Sequence, residues 1–251
     1  MSMLVNMETL DAERGIARVV LDSPKVNAMG SQLLAQLAVT FEGLAQNDSV
    51  RGILLEGNGS CLSAGLDLKE VVGMDRDRLE QLLIALDRML VSVFTCPTPI
   101  ATVMEGHAIA GGMVIALATD HVALRRGDYR VGLTELAVGV PFPRSAYEIV
   151  ACGLPPRAVR RFVLQPDTLS PEDAYAVGFG DTLGDSPRST ALTWLRQAAA
   201  LPPAAVAIAK LQIRESAIRR IQEQADAERP RLLDEILSDA GRAAMARALA
   251  R

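Results

Sequence analysis

The segment Gly106-His107-Ala108-Ile109-Ala110-Gly111-Gly112-Met113-Val114 carries the first chemical signal in the chain. Its paired glycines put bare backbone N–H groups at the start of an expected helix, where they can hold a developing oxyanion. A second segment, Cys61-Leu62-Ser63-Ala64-Gly65-Leu66-Asp67-Leu68-Lys69-Glu70, follows a strand and precedes a helix, and offers another such turn. The third, Val131-Gly132-Leu133-Thr134-Glu135-Leu136-Ala137-Val138-Gly139-Val140-Pro141, supplies one acid, Glu135. Each segment alone has an ordinary structural explanation. Together, two glycine-marked turns and one carboxylate make a site for removing a proton beside a carbonyl. Two residues beyond Gly112 stands Val114, where a carboxylate would face the same cavity. One acid instead of two restricts the chemistry.

The elements that must position these groups follow from periodicity. Met3–Leu10 and Ile16–Leu21 read as a hairpin around Asp11–Gly15. Ser31–Gln46 reads as a helix capped by Ser31, with Leu33, Leu34, Leu37, Phe41 and Leu44 at helical spacing. Val50–Glu56 and Ile100–Met104 read as strands, Leu79–Phe94 as a long helix, Met113–Ala118 as a helix and Val122–Leu124 as a short strand. This repeated strand–loop–helix order predicts an α/β fold with crossover connections. No G-x-G-x-x-G occurs, so a dinucleotide site is not indicated. From Arg144 onward the pattern is helical, with starts at Pro155-Pro156, Ser170-Pro171-Glu172, Ser186-Pro187 and Pro202-Pro203. Pro230 is expected to break the chain before two last helices, Arg231–Leu237 and Ala240–Ala250, which are expected to pack on a neighbouring subunit or on their own core.

At 251 residues the chain can bury one sizeable core, and 49 % hydrophobic with 22 % charged residues is ordinary globular composition. A net charge of −4 argues against nucleic acid as partner, and the clusters Arg157/Arg160/Arg161 and Arg214/Arg219/Arg220 read as solvated helix faces. Three scattered cysteines suggest neither a disulfide framework nor a zinc site, and two histidines are too few for a His-based metal centre. The apolar run Ala108–Thr119 is too short to span a bilayer, and no secretory signal is visible at the N-terminus, so a cytoplasmic protein is expected.

The motifs, in order, resemble the crotonase, or enoyl-CoA hydratase/isomerase, superfamily over nearly the whole length. Pro24-Lys25-Val26-Asn27-Ala28-Met29 resembles its P-x-x-N-A-[LM], and Ala64–Leu68, Gly106–Gly112, Ala116–Asp120 and Leu169–Gly178 resemble its later motifs. The resemblance implies a crotonase-type ββα spiral core over 1–200 and a C-terminal helical trimerisation region over 201–251, forming a homotrimer or homohexamer. It implies that the backbone N–H groups of Leu66 and Gly111 hold the thioester oxygen, and that Glu135 is the acid–base. Coenzyme A enters as part of an acyl-CoA substrate, with no separate cofactor and no metal. The implied binding residues are Lys25, Val26, Ala64, Gly65, Leu66, Asp67, Leu68, Lys69, Gly112, Val114 and Phe142, with Lys210 near a CoA phosphate.

Hydratases of this superfamily carry a second acid at the position of Val114. The one-acid pattern here resembles Δ3,Δ2-enoyl-CoA isomerases, whose 1,3-proton shift needs a single base reaching both C2 and C4. Burial near Val114, Val138 and Phe142 should raise the pKa of Glu135. Pocket walls are expected from the Arg76–Leu90 helix and the Phe142–Tyr147 region. Two other readings stay open: a hydratase-like enzyme recruiting Tyr147, His107 or Glu148, and a non-catalytic CoA-binding protein.

Overall fold

The computed structural model describes residues 3–250. An antiparallel hairpin of β1 (Val5–Asp11) and β2 (Ile16–Leu21) opens the fold. β2 has mostly buried residues because it is an interior strand, flanked by β1 on one side and β3 (Gly52–Gly57) on the other. Between them α1 (Ser31–Ala45) buries Leu33, Leu34, Leu37, Phe41 and Leu44, the stripe that its periodicity predicts. Ser31 is not its cap: Gly30 precedes the helix, and the Ser31 hydroxyl donates to Glu70 at 2.5 Å instead.

The chain then winds as a spiral in which successive turns add one strand to each of two sheets. β3 is followed by β4 (Cys61–Ser63), α2 (Leu68–Val71) and α3 (Arg76–Phe94). The next turn brings β5 (Ile100–Met104), β6 (His107–Ile109) and α4 (Gly111–Leu117). The third brings β7 (His121–Arg125) and β8 (Val131–Gly132). The large sheet runs β1-β2-β3-β5-β7 and ends at β9 (Thr182–Gly184), parallel throughout except for the hairpin. The small sheet, β4-β6-β8, is parallel. Its strands are two or three residues long, below the length at which alternation can be read, and the sequence shows only the turns that follow them. The architecture is the expected mixed α/β spiral.

Helices α5 (Arg144–Gly153), α6 (Pro156–Leu164), α7 (Pro171–Ala176) and α8 (Pro187–Ala199) follow, with α7 capped by Ser170 as expected. The expected break at Pro230 is absent: α9 is one helix over Pro203–Leu237, and α10 covers Asp239–Leu249. An internal proline leaves one carbonyl without its N–H partner and costs roughly 3 kcal/mol. Leu232, Leu233 and Ile236 are buried just beyond it, each contributing about 1.5–3 kcal/mol, and this offsets the penalty. The two last helices pack on their own core, α9 chiefly on α5 and α10 on α9 and on the 3₁₀ turn Glu135–Val138.

One basic position was expected elsewhere: Arg214 is buried, not on a solvated face, and Lys210 is buried beside it in an ion cluster. Asp120 receives both, at 2.6 Å from Lys210 and 2.8 Å from Arg214, while Lys210 also donates to the Thr98 carbonyl. Burial lowers the Lys210 pKa, and the Asp120 carboxylate opposes that shift. The cluster ties α9 to the end of α4 and to the loop before β5.

Candidate active site

Two turns from different layers of the spiral meet at one point. Gly65 has φ +83°. A Cβ on it would lie 2.8 Å from the Ala110 Cβ and 3.1 Å from the Gly111 nitrogen, so only glycine allows the approach. Gly112 is equally constrained, since a Cβ there would run into the Ser63 carbonyl. Ala110, between β6 and α4, adopts φ +51°, ψ −124°. For a residue with a side chain this conformation costs on the order of 1–3 kcal/mol and persists only where its surroundings enforce it. Here the Ala110 N–H donates to the Gly132 carbonyl at 2.8 Å, fixing the turn against β8. Among the described residues, neither the Leu66 N–H nor the Gly111 N–H donates a hydrogen bond within the chain. Two free donors therefore stand at adjacent turns, and both residues line the same pocket.

A buried polar clasp holds the first turn. Asn27, at φ +49°, donates to the Cys61 carbonyl at 2.8 Å, and Ser63 Oγ donates to the Asn27 carbonyl at 2.7 Å. The same hydroxyl accepts from the Gly65 N–H, and the Ala64 N–H donates to the Val26 carbonyl at 3.0 Å. The Lys25–Val26 turn is thereby docked beside Ala64, with Lys25 and Lys69 exposed and Val26 exposed by 43 %. Asp67 caps α2 by accepting from the Lys69 N–H.

Glu135 opens the 3₁₀ turn and is only 8 % exposed. Its Oε2 is buried without a hydrogen-bond partner. Burial pushes its pKa up to about 7, only partly countered by its own backbone N–H. The carboxyl lines a pocket of about 70 Å³ together with Leu66, Gly111 and Val114. Leu86 and Leu90 of α3 and Ala146 of α5 form apolar wall. The expected rise in pKa and the α3 wall are both present. Phe142 does not line the pocket; Pro143 and Ala146 take that place while Phe142 packs against the core. Val138 lines it as expected, and Thr134 was not anticipated.

The alternative acids stand apart from this pocket. Tyr147 is half exposed under the Arg144 guanidinium, 5.8 Å from the ring centre. Glu148 is buried but taken up by Arg144 and Arg220. His107 Nδ1 accepts from the Arg130 N–H. None of the three lines the pocket. No group of three His, Cys, Asp or Glu side chains among the described residues is arranged to hold a metal ion.

An arrangement of two free N–H donors and one desolvated carboxyl fits stabilisation of an enolate, with proton transfer to and from carbon. Residues 11–246 match the model of the enoyl-CoA hydratase/isomerase family. The chain belongs to that family. It is 27 % identical to the human mitochondrial enoyl-CoA delta isomerase 1 over 87 % of this chain and 74 % of that protein. A probable enoyl-CoA hydratase of Mycobacterium tuberculosis is 26 % identical over 90 % of this chain and 85 % of its own length. Among solved structures, the human mitochondrial Δ3-Δ2-enoyl-CoA isomerase superposes with a TM-score of 0.94 at 26 % identity, covering 99 % of this chain and 98 % of the other. As a member of the enoyl-CoA hydratase/isomerase family, the protein is an enzyme with the crotonase fold. Among the described residues no helix is long and apolar enough to cross a membrane.

Proposed function

We propose that this family member is a Δ3,Δ2-enoyl-CoA isomerase in which Glu135 alone moves the proton. The observation that carries the reading is a single buried carboxyl, with an unpartnered oxygen, lining one pocket with the free N–H groups of Leu66 and Gly111 and the apolar Val114. In this mechanism ionised Glu135 takes a proton from C2 of a 3-enoyl thioester. The electron pair moves to the thioester oxygen, which accepts hydrogen bonds from the Leu66 and Gly111 N–H groups. Glu135, now protonated, returns the proton at C4, and the double bond closes between C2 and C3. A pKa near 7 suits a group that must act as base and then as acid in one turnover. Hydration would need a second polar group to hold and split water, and Val114 offers none.

The CoA moiety in this reading runs past Lys25, Val26, Ala64, Gly65, Asp67, Leu68 and Lys69, with Gly112 packed behind the donor turn. A homotrimer or dimer of trimers is supported by the exposed Leu201, Ile208, Leu211 and Ile213 before and along the first half of α9, and sedimentation analysis tests it. The functional test compares isomerisation of 3-hexenoyl-CoA with hydration of crotonyl-CoA. Isomerisation lost in Glu135→Gln is the expected result. Brisk hydration that survives Glu135→Gln would overturn the mechanism.

A further inference from the structure

One buried residue touches both donor turns. Ser63 ends β4 and is fully buried. Its hydroxyl accepts from the Gly65 N–H at 3.1 Å and donates to the Asn27 carbonyl at 2.7 Å. Against its backbone lies the first turn of α4: a Cβ on Gly112 would stand 2.1 Å from the Ser63 carbonyl oxygen and 3.1 Å from the Ser63 Cβ. Gly65 and Gly112 each adjoin a free donor, Leu66 in the first turn and Gly111 in the second. The regular ladder fails at this point. β4 pairs with β6 at Cys61↔His107 and next at Ser63↔Ala108, so two steps along β4 match one along β6. Such a bulge leaves a residue unpaired and re-aims the chain after it.

Beyond the bulge the turn depends on other anchors. The Ala64 N–H donates to the Val26 carbonyl at 3.0 Å and the Asp67 N–H to the Met29 carbonyl at 3.2 Å. Gly65 between them has the loosest torsions of the turn, since glycine restricts neither φ nor ψ. Ser63 Oγ holds its N–H, and the Met29 N–H donates to its carbonyl at 2.8 Å. Both soft torsions are pinned, one by a side chain. The Leu66 N–H belongs to the peptide that follows, so its aim depends on those two bonds. We infer that Ser63 is a positioning residue for the reaction, whose hydroxyl fixes the Leu66 donor relative to the Gly111 donor so that both meet one thioester oxygen. This rests on the reading of those two N–H groups given above.

The test compares wild type with Ser63→Ala in two ways. Infrared difference spectra of bound butanoyl-CoA, isotopically labelled at the thioester carbonyl, read the donors directly. The carbonyl band should lie below its position in water for wild type and move back toward that position in the variant. In the isomerisation of 3-hexenoyl-CoA, kcat should fall about 10²-fold, the cost of misplacing a catalytic contact. KM should barely change, and the pH midpoint should stay where wild type has it, because the Ser63 hydroxyl bonds Asn27 and Gly65 and not Glu135. Should Ser63→Ala not fold, Asn27→Gly opens the clasp from the other side, at a φ of +49° that glycine adopts freely, and should give the same losses. A folded variant that is only less heat-stable, with the band and kcat of wild type, overturns the inference and leaves the isomerase reading intact. A band lowered in wild type and restored in the variant, with no isomerisation by wild type, overturns the isomerase reading and supports the role of Ser63.

Discussion

Replacing Glu135 by glutamine should shift stability in the variant's favour as pH rises from 4 through neutrality. The carboxyl is 8 % exposed, has a partnerless oxygen, and titrates near 7 instead of 4.5. A carboxyl whose pKa is raised on folding binds its proton more tightly in the native state. Its contribution is therefore fully present below pH 4.5 and is lost as pH rises through 7. A rise of about 2.5 units at 1.36 kcal/mol each amounts to about 3 kcal/mol. Urea denaturation of wild type and Glu135→Gln between pH 4 and 8.5 reads this directly. The difference in unfolding free energy, whatever its value at pH 4, should shift toward the variant by about 3 kcal/mol and level off above pH 7. The same variant should lose about 10²–10⁴-fold in kcat. A stability difference independent of pH would refute the argument, because it would mean that the carboxyl is solvated.

Three further perturbations follow from the same geometry. In wild type, kcat/KM for isomerisation should rise tenfold per pH unit below 7 and flatten above it, while Val114→Glu should move that midpoint upward and slow the reaction at pH 7, since a second carboxylate disfavours ionisation of the first; a pH–rate series reads both. Gly65→Ala forces a Cβ to 2.8 Å from Ala110 and should reduce kcat by about 10²–10³-fold, whereas Gly111→Ala, meeting its nearest neighbours at 3.4 Å, should cost less. Lys210→Ala should destabilise near the lower end of the about 3–5 kcal/mol seen when a buried pair is broken, because Arg214 still pairs Asp120, and the KM for acyl-CoA should not change.

The parts of this fold that bury a long periodic face were legible in the sequence. α1 and α3 announce themselves through their leucines, and β5 through an apolar run broken only by Thr102. The small sheet was not, because β8 is two residues long and its identity depends on pairing with β6. Pro230 misled in the opposite direction: a local breaking signal lost to burial of the residues after it. Lys210 carries no sign of its partner, which lies 90 residues away. For the candidate site, glycine pairs and a lone glutamate identified the segments, and motif order identified the family. Which residues line the pocket was another matter, since Phe142 lies just before α5 and Ala146 in its first turn, and only packing puts the first on the core and the second in the pocket.

The seat of α10 on the 3₁₀ turn also has a consequence in time. Gly139, which ends that turn in a left-handed conformation, lies directly against Gly241 and Ala244, so a Cβ on it would meet both at 3.0 Å. During synthesis both N–H donors and every strand have been made before this helix exists, and domains begin folding as they emerge from the ribosome. The nascent spiral can therefore assemble while the segment bearing its acid still lacks its backing. The turn that carries the acid thus gains its backing only once α10 has been made.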